Sequence, residues 1–177
     1  MVSQEHDPQA APGALEQVRT LLNTWRIPND TRVPIDDLDG TSGDGGDGSY
    51  DRDPDELDRL RALRDDLRAA VEGRTEADAV LTGWIDRLGV TPAVEGGRLR
   101  FRHRAGPLGD VLVVALDAVA EGTWPRLKAC PDCRWAFYDH TRNGSKRWCL
   151  MGSAGPWTRG CGNIAKVRRH RQRAREG

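Results

Sequence analysis

A chain of 177 residues, 37% of them hydrophobic, has room for one domain of ordinary size plus a small module. Its formal charge is zero, yet residues 1–123 carry 14 Arg and no Lys against 24 acidic residues, whereas residues 124–177 carry 13 Lys plus Arg against 3. No apolar run approaches the roughly 18 residues of a membrane helix, and MVSQEHDPQAAPG lacks the basic start and apolar core of an export signal. A soluble cytoplasmic protein with no membrane partner is expected, and in that setting thiols stay reduced.

The elements follow in chain order. Residues 1–12 read as a disordered leader. From Gly13 a helix is predicted up to Pro28, because Leu15, Val18, Leu21, Leu22 and Trp25 recur at three- and four-residue spacing. Residues 28–52 form an acidic, glycine-rich loop expected to be mobile. It contains no calcium-loop register. The second helix has a clear start: Asp53 as cap, Pro54 in the first turn and Glu56 three positions after the cap. Leu57, Leu60, Leu63, Leu67 and Val71 make its apolar stripe, Gly73 closes it, and Asp58, Arg61, Asp65 and Arg68 read as a solvated face.

Thr75 is the expected cap of a third helix that buries Val80, Leu81, Trp84, Ile85 and Leu88. A Gly-Gly pair in AVEGGRLRFRH then predicts a small hairpin. A fourth helix from about Pro107 to Glu121 is apolar around most of its circumference, which suits the centre of a domain. The sequence holds no nucleophile paired with a base, no phosphate loop and no carboxylate pair, so no enzyme activity is expected.

All four cysteines lie in the basic third of the chain. Cys130 and Cys133 have the C-x2-C spacing of two thiolates turning back on one metal ion, and Cys149 and Cys161 complete a set of four. Four thiolates satisfy one structural zinc ion and leave no position for a catalytic water. Arg134, Lys146 and Arg147 are placed to favour the ionised thiols. The competing readings are a redox C-x-x-C pair, two disulfides, or His140 replacing one cysteine. After Cys161, Asn163 is the expected cap of a helix from Ile164 to about Arg175, crowded with Lys166, Arg168, Arg169, Arg171, Arg173 and Arg175.

Cys130, Cys133, Phe137, Asp139, Arg142, Asn143, Arg147, Trp148, Cys149, Met151, Cys161, Gly162, Asn163 and Lys166 stand in the order of the bacterial CGNR zinc finger, which residues 124–177 resemble. Two positions depart from the family pattern. Ile164 stands where an arginine is usual, and the gap of eleven residues between Cys149 and Cys161 is longer than usual, through the insertion GSAGPWTRG. A flexible insertion costs little closure entropy, so the ligands can still converge. Arg159 is a stand-in for the missing arginine. The preceding residues 13–123 resemble the helical ABATE domain often found before such a finger, most closely at Asn23, Thr24 and Trp25.

The expected fold is therefore mainly α within an α+β class: a helical domain with a small hairpin, a four-cysteine finger and a basic C-terminal helix. The resemblance implies a bacterial, nucleoid-associated transcription regulator. Its candidate contacts with double-stranded DNA are Arg142, Lys146, Arg147 and the cations of the last helix. Asn23, Trp25 and Trp84 are the candidate pocket for a small-molecule effector, and the helical domain is a candidate homodimer interface. The alternatives are a zinc-stabilised protein-interaction adaptor or an RNA or single-strand binder that stacks bases on Trp135, Phe137 and Trp148.

Overall fold

A computed structural model describes residues 7–28, 31–38, 53–150 and 160–176. Helix α1 (Leu15–Asn23) buries Leu15, Val18 and Leu22 but ends well before Pro28. The chain then turns extended: β1 (Trp25–Arg26) pairs antiparallel with β2 (Ile35–Asp36), so Trp25 leaves the helical face expected for it. Asp36 and Asp37, expected in a mobile loop, are ion-paired instead, Asp36 with Arg64 and Asp37 with Arg26. The Gly/Asp-rich residues 39–52 lie outside the described residues.

Helix α2 (Pro54–Val71) starts as its sequence dictates, with the Asp53 carboxylate accepting from the Asp55 N–H at 3.1 Å. It stops at Gly73, whose φ of 69° lets the Gly73 and Arg74 N–H groups close back on Ala70 and Ala69 at 3.0 and 2.9 Å. Leu63 and Leu67 are fully buried. Arg68 is buried as well, which corrects its assignment to a solvated face. Helix α3 (Ala77–Leu88) is capped at Glu76 without a side-chain bond, so Thr75 is not its cap. It buries Leu81, Trp84 and Leu88.

The hairpin of β3 (Thr91–Glu95) and β4 (Arg98–Arg102) turns at Gly96 and Gly97, both at positive φ as a two-residue turn requires. Phe101 packs inward, while Val94 and Leu99 near the tip stay exposed. Helix α4 (Gly106–Ala120) touches α1, α2, α3 and β4 and so occupies the centre. Its Gly109 passes so close under His103 that an added Cβ would lie 1.9 Å from the ring Nδ1.

A single turn of 3-10 helix (Trp124–Arg126) leads into β5 (Leu127–Ala129), which pairs antiparallel with β6 (Ala136–Tyr138). Trp124, Leu127, Ala136 and Tyr138 belong to the same apolar cluster as the helices. The last third of the chain therefore begins inside the helical core and is not joined to it by a free linker. Residues 7–12, expected as leader, pack too: Ala11 is buried, and Asp7 pairs with the buried Arg19 at 2.8 Å. The described chain ends in helix α5 (Cys161–Glu176). This helix starts at the fourth cysteine, earlier than expected, and Asn163 lies inside its first turn rather than at the cap. The mixed α and β content agrees with the fold class expected from the sequence.

Candidate metal centre

The β5–β6 pair carries the first two cysteines on the turn that joins its strands. Leu127 faces Tyr138 and Ala129 faces Ala136, and the turn closes by Arg134 N–H to Cys130 C=O and Cys130 N–H to Trp135 C=O, both at 2.9 Å. Arg134 takes φ 61°, the left-handed conformation that reverses the chain directly after Cys133. The strand pair flanks the C-x2-C turn, with β5 before Cys130 and β6 after Cys133.

The path to Cys149 runs through a loop organised on Asp139, whose carboxylate is fully buried. It accepts from Lys128 Nζ at 2.8 Å, from Thr141 N–H and Oγ1 at 2.9 and 2.6 Å, and from Lys146 N–H at 2.8 Å. Burial alone would raise this carboxyl's pKa, but the bonds from Lys128, Thr141 and Lys146 more than offset it and hold the group well below the ordinary carboxylate range. Lys128 also reaches the Gly144 and Lys146 carbonyls. Cys161 arrives as the first residue of α5, with Gly162 N–H on the Leu150 carbonyl at 2.9 Å.

These elements bring all four sulfurs within 4.8 Å of one another, each cysteine fully buried. Cys133 Sγ is 3.5 Å from Cys149 Sγ, and Cys149 Sγ is 3.8 Å from Cys161 Sγ. A disulfide needs about 2.05 Å, so neither contact is one, and the cysteines are free thiols. A tetrahedron with zinc–sulfur bonds of about 2.3 Å has sulfur–sulfur edges of about 3.8 Å. The donors fit one zinc ion.

The electrostatics agree with that fit. Cys130 is pushed down by its hydrogen bonds from Cys133, Cys149 and Cys161, while Cys149 is pushed up, first by its bond to Cys130. Without a cation, burial and mutual repulsion oppose ionising all four thiols together; a zinc ion, when bound, supplies the dication that lets all four ionise. Phe137, fully buried, and Trp135 and Trp148, half-buried, pack around the cysteines. Phe137 is thereby core and not a stacking platform. His140 is not in the set; its Nε2 lies 2.7 Å from the Ala10 carbonyl.

A buried, closed, four-thiolate centre of this kind defines a structural zinc module. In particular, residues 126–174 match the CGNR zinc finger family, so this part of the chain is a CGNR zinc finger holding one zinc ion. No curated protein and no solved structure matches the chain. The insertion between Cys149 and Cys161, with Arg159, lies outside the described residues apart from Gly160.

The helical domain grips the turn of the first cysteine pair. Ile27 N–H donates to the Cys133 carbonyl at 3.1 Å. Arg68 Nη2 donates to the Arg134 carbonyl at 2.9 Å, while its Nη1 binds the Leu22 and Trp25 carbonyls at 2.5 and 2.9 Å. The Asn23 amide donates to the Ala136 carbonyl at 2.9 Å and accepts its N–H at 2.7 Å. Sequence reasoning placed Asn23 and Trp84 in a ligand pocket, and that grouping is corrected. Asn23 is consumed by Ala136, and Trp84 is core with its Nε1–H on Asp66 at 2.9 Å. Trp25 alone of the three lines a cleft, of about 710 Å³, together with Arg68, Glu72, Arg74 and Arg134.

The candidate DNA contacts divide as well. Arg142, Arg147, Lys166, Arg169, Arg171, Arg173 and Arg175 are exposed. Lys146 is half-buried, with Nζ 5.1 Å from the Phe137 ring centre. Arg134, expected to favour the thiolates, turns toward Glu72, its Nη1 3.7 Å from the carboxylate. Arg168 is bound to Asp132 at 3.0 Å. What sequence reasoning missed is the role of Arg68 and Asp132; a lone signal existed for Asp132, an acid between two metal ligands.

Proposed function

We propose that this protein is a zinc-dependent transcription regulator of the bacterial nucleoid whose finger and α5 bind double-stranded DNA. The observation that supports this reading most is the run of exposed cations on α5, which leaves the zinc centre at a ligand. A helix so charged repels itself in isolation. Phosphates relieve that repulsion and release counterions, so binding is expected to weaken steeply with salt. The resemblance of residues 13–123 to ABATE supports a sensing or dimerising role for the helical domain, with the cleft beside Trp25 as the place for a small-molecule effector. No catalytic step belongs to this reading.

The test is selection of duplex sites from a random-sequence pool by zinc-loaded full-length protein at fixed salt. A selected duplex bound about 10³-fold more tightly than competitor DNA supports a regulator. Equal affinity for every duplex and for heparin sinks that reading and favours the adaptor, whose arginines grip an acidic partner. Preference for single strands would favour stacking on Trp135 and Trp148.

A further inference from the structure

Helix α5 is held to the finger along one side. At about 100° per residue, Cys161, Ile164, Ala165 and Arg168 fall on that side. Ile164 and Ala165 are half-buried, and Arg168 Nη1 lies 3.0 Å from Asp132 Oδ1. Lys166, His170 and Arg173 fall toward the opposite side and Arg169 on the flank beside them, at the i, i+3, i+4 and i+7 spacing of one continuous stripe, and all are exposed.

Asp132 stands between Cys130 and Cys133 on the metal-bearing turn and is 7% exposed. The ligands on either side fix its position, so it is a rigid anchor. Arg32 approaches the same residue, with Nη1 3.1 Å from its carbonyl and 3.4 Å from Oδ1. Oδ2 is buried with no hydrogen-bond partner. A carboxylate in such a place needs cations close by, and Arg168 is the one that α5 provides. The contact falls about two turns beyond Cys161, far enough along the helix to fix its rotation as well as its direction.

We infer that Asp132 is a positioning residue: by holding Arg168 it sets the rotation of α5, so that Lys166, Arg169 and Arg173 form the stripe that meets the DNA backbone. Arg168 is a tether and not a DNA contact. The role of the stripe rests on the DNA-binding reading above; the tether does not.

Two measurements on the zinc-loaded full chain test this. The first is hydrogen exchange of the α5 amides without DNA. Asp132→Asn and Arg168→Gln each speed exchange about five- to tenfold, with zinc content unchanged. If Asp132→Asn loses zinc, Arg168→Gln decides; unchanged exchange in Arg168→Gln overturns the tether.

The second is affinity for one fixed duplex across a range of salt. Lys166→Gln, Arg169→Gln and Arg173→Gln each lower the slope of log affinity against log salt by about 0.9, while Arg171→Gln and Arg175→Gln lower it by less. Asp132→Asn removes a negative charge beside the helix, so an unpositioned cationic arm would bind more tightly. A positioned stripe binds several-fold more weakly. Tighter binding by Asp132→Asn, or equal slope losses at all five cations, overturns the positioning role. Absence of duplex binding by the wild type overturns the DNA-binding reading and the stripe with it, and hydrogen exchange then still decides the tether.

Discussion

The two cysteine pairs reach the same centre by different means. Cys130 and Cys133 sit on a turn whose carbonyls are bound by Ile27, Arg32, Arg68 and Asn23 of the helical domain, and whose strands share its core. Cys149 follows a loop held by Asp139, and Cys161 opens a helix exposed along most of its length. Protein packing positions the first pair, so the metal completes a site already half built there. For the second pair the metal is itself a main tether. The lesson is that one ion serves two purposes here: it adds to a packed core on one side and attaches an exposed, arginine-rich helix on the other.

The largest effect expected from this contrast is on metal affinity. Cys161→Ser should lower zinc affinity more than about 100-fold, yet leave the thermal midpoint of the helical domain near that of the wild type. Cys133→Ser should lower both. Equal loss of the domain's midpoint in the two variants, read by calorimetry beside metal analysis, would erase the distinction between the pairs.

Arg68→Met comes next. It takes a donor from the Leu22, Trp25 and Arg134 carbonyls and one of two close cations from Glu72, which keeps Arg74 at 2.8 Å, at a cost of about 2–3 kcal/mol by urea unfolding. Because one of those carbonyls belongs to the metal-bearing turn, zinc should also dissociate faster. Unfolding without any change in zinc release would show that Arg68 stabilises only the helices.

Asp139 gives the pH test. Its folded pKa is depressed, so its contribution is complete above the unfolded value of about 4 and is lost as pH falls below it toward the folded value. Asp139→Asn should cost about 2–3 kcal/mol at neutral pH, and the gap to the wild type should shrink below pH of about 4. Thiolate protonation affects both proteins alike and cancels in that difference. A gap that stays constant into acid would mean that the loop depends on shape rather than charge.

Two backbone substitutions probe the scaffold on each side. Gly109→Ala forces a Cβ into His103 and should cost about 1–3 kcal/mol. Arg134→Gly relieves the left-handed strain at the turn, worth about 1 kcal/mol, and gives up only a long approach to Glu72 at 3.7 Å. It should therefore be neutral or slightly stabilising, and zinc affinity should not fall.

Much of this was readable from the chain. The cap at Asp53, the stop at Gly73, the Gly-Gly hairpin and the four ligands are local signals, each set by a few neighbouring residues. What escaped is non-local. Arg68 reads as part of a charged, solvated helix face, and only the arrival of Trp25 and the metal-bearing turn makes it interior. The pocket grouping of Asn23 with Trp84 failed for the same reason, because a side-chain amide spent on a strand 113 residues away leaves no periodicity to detect. The ligand spacing announced the metal but not that its first strands share the helical core.

The pairing of Asn23 with Ala136 has one more outcome. A two-stranded ribbon has two open edges, and an open edge invites another chain to add as a strand. Along the outer edge of β6, Ala136 gives its N–H and carbonyl to Asn23, and Tyr138 N–H goes to the Gln9 carbonyl at 2.9 Å. A side chain and a short N-terminal segment thus stand in for a third strand, and the finger's ribbon is closed to strand addition on that side even before metal is bound.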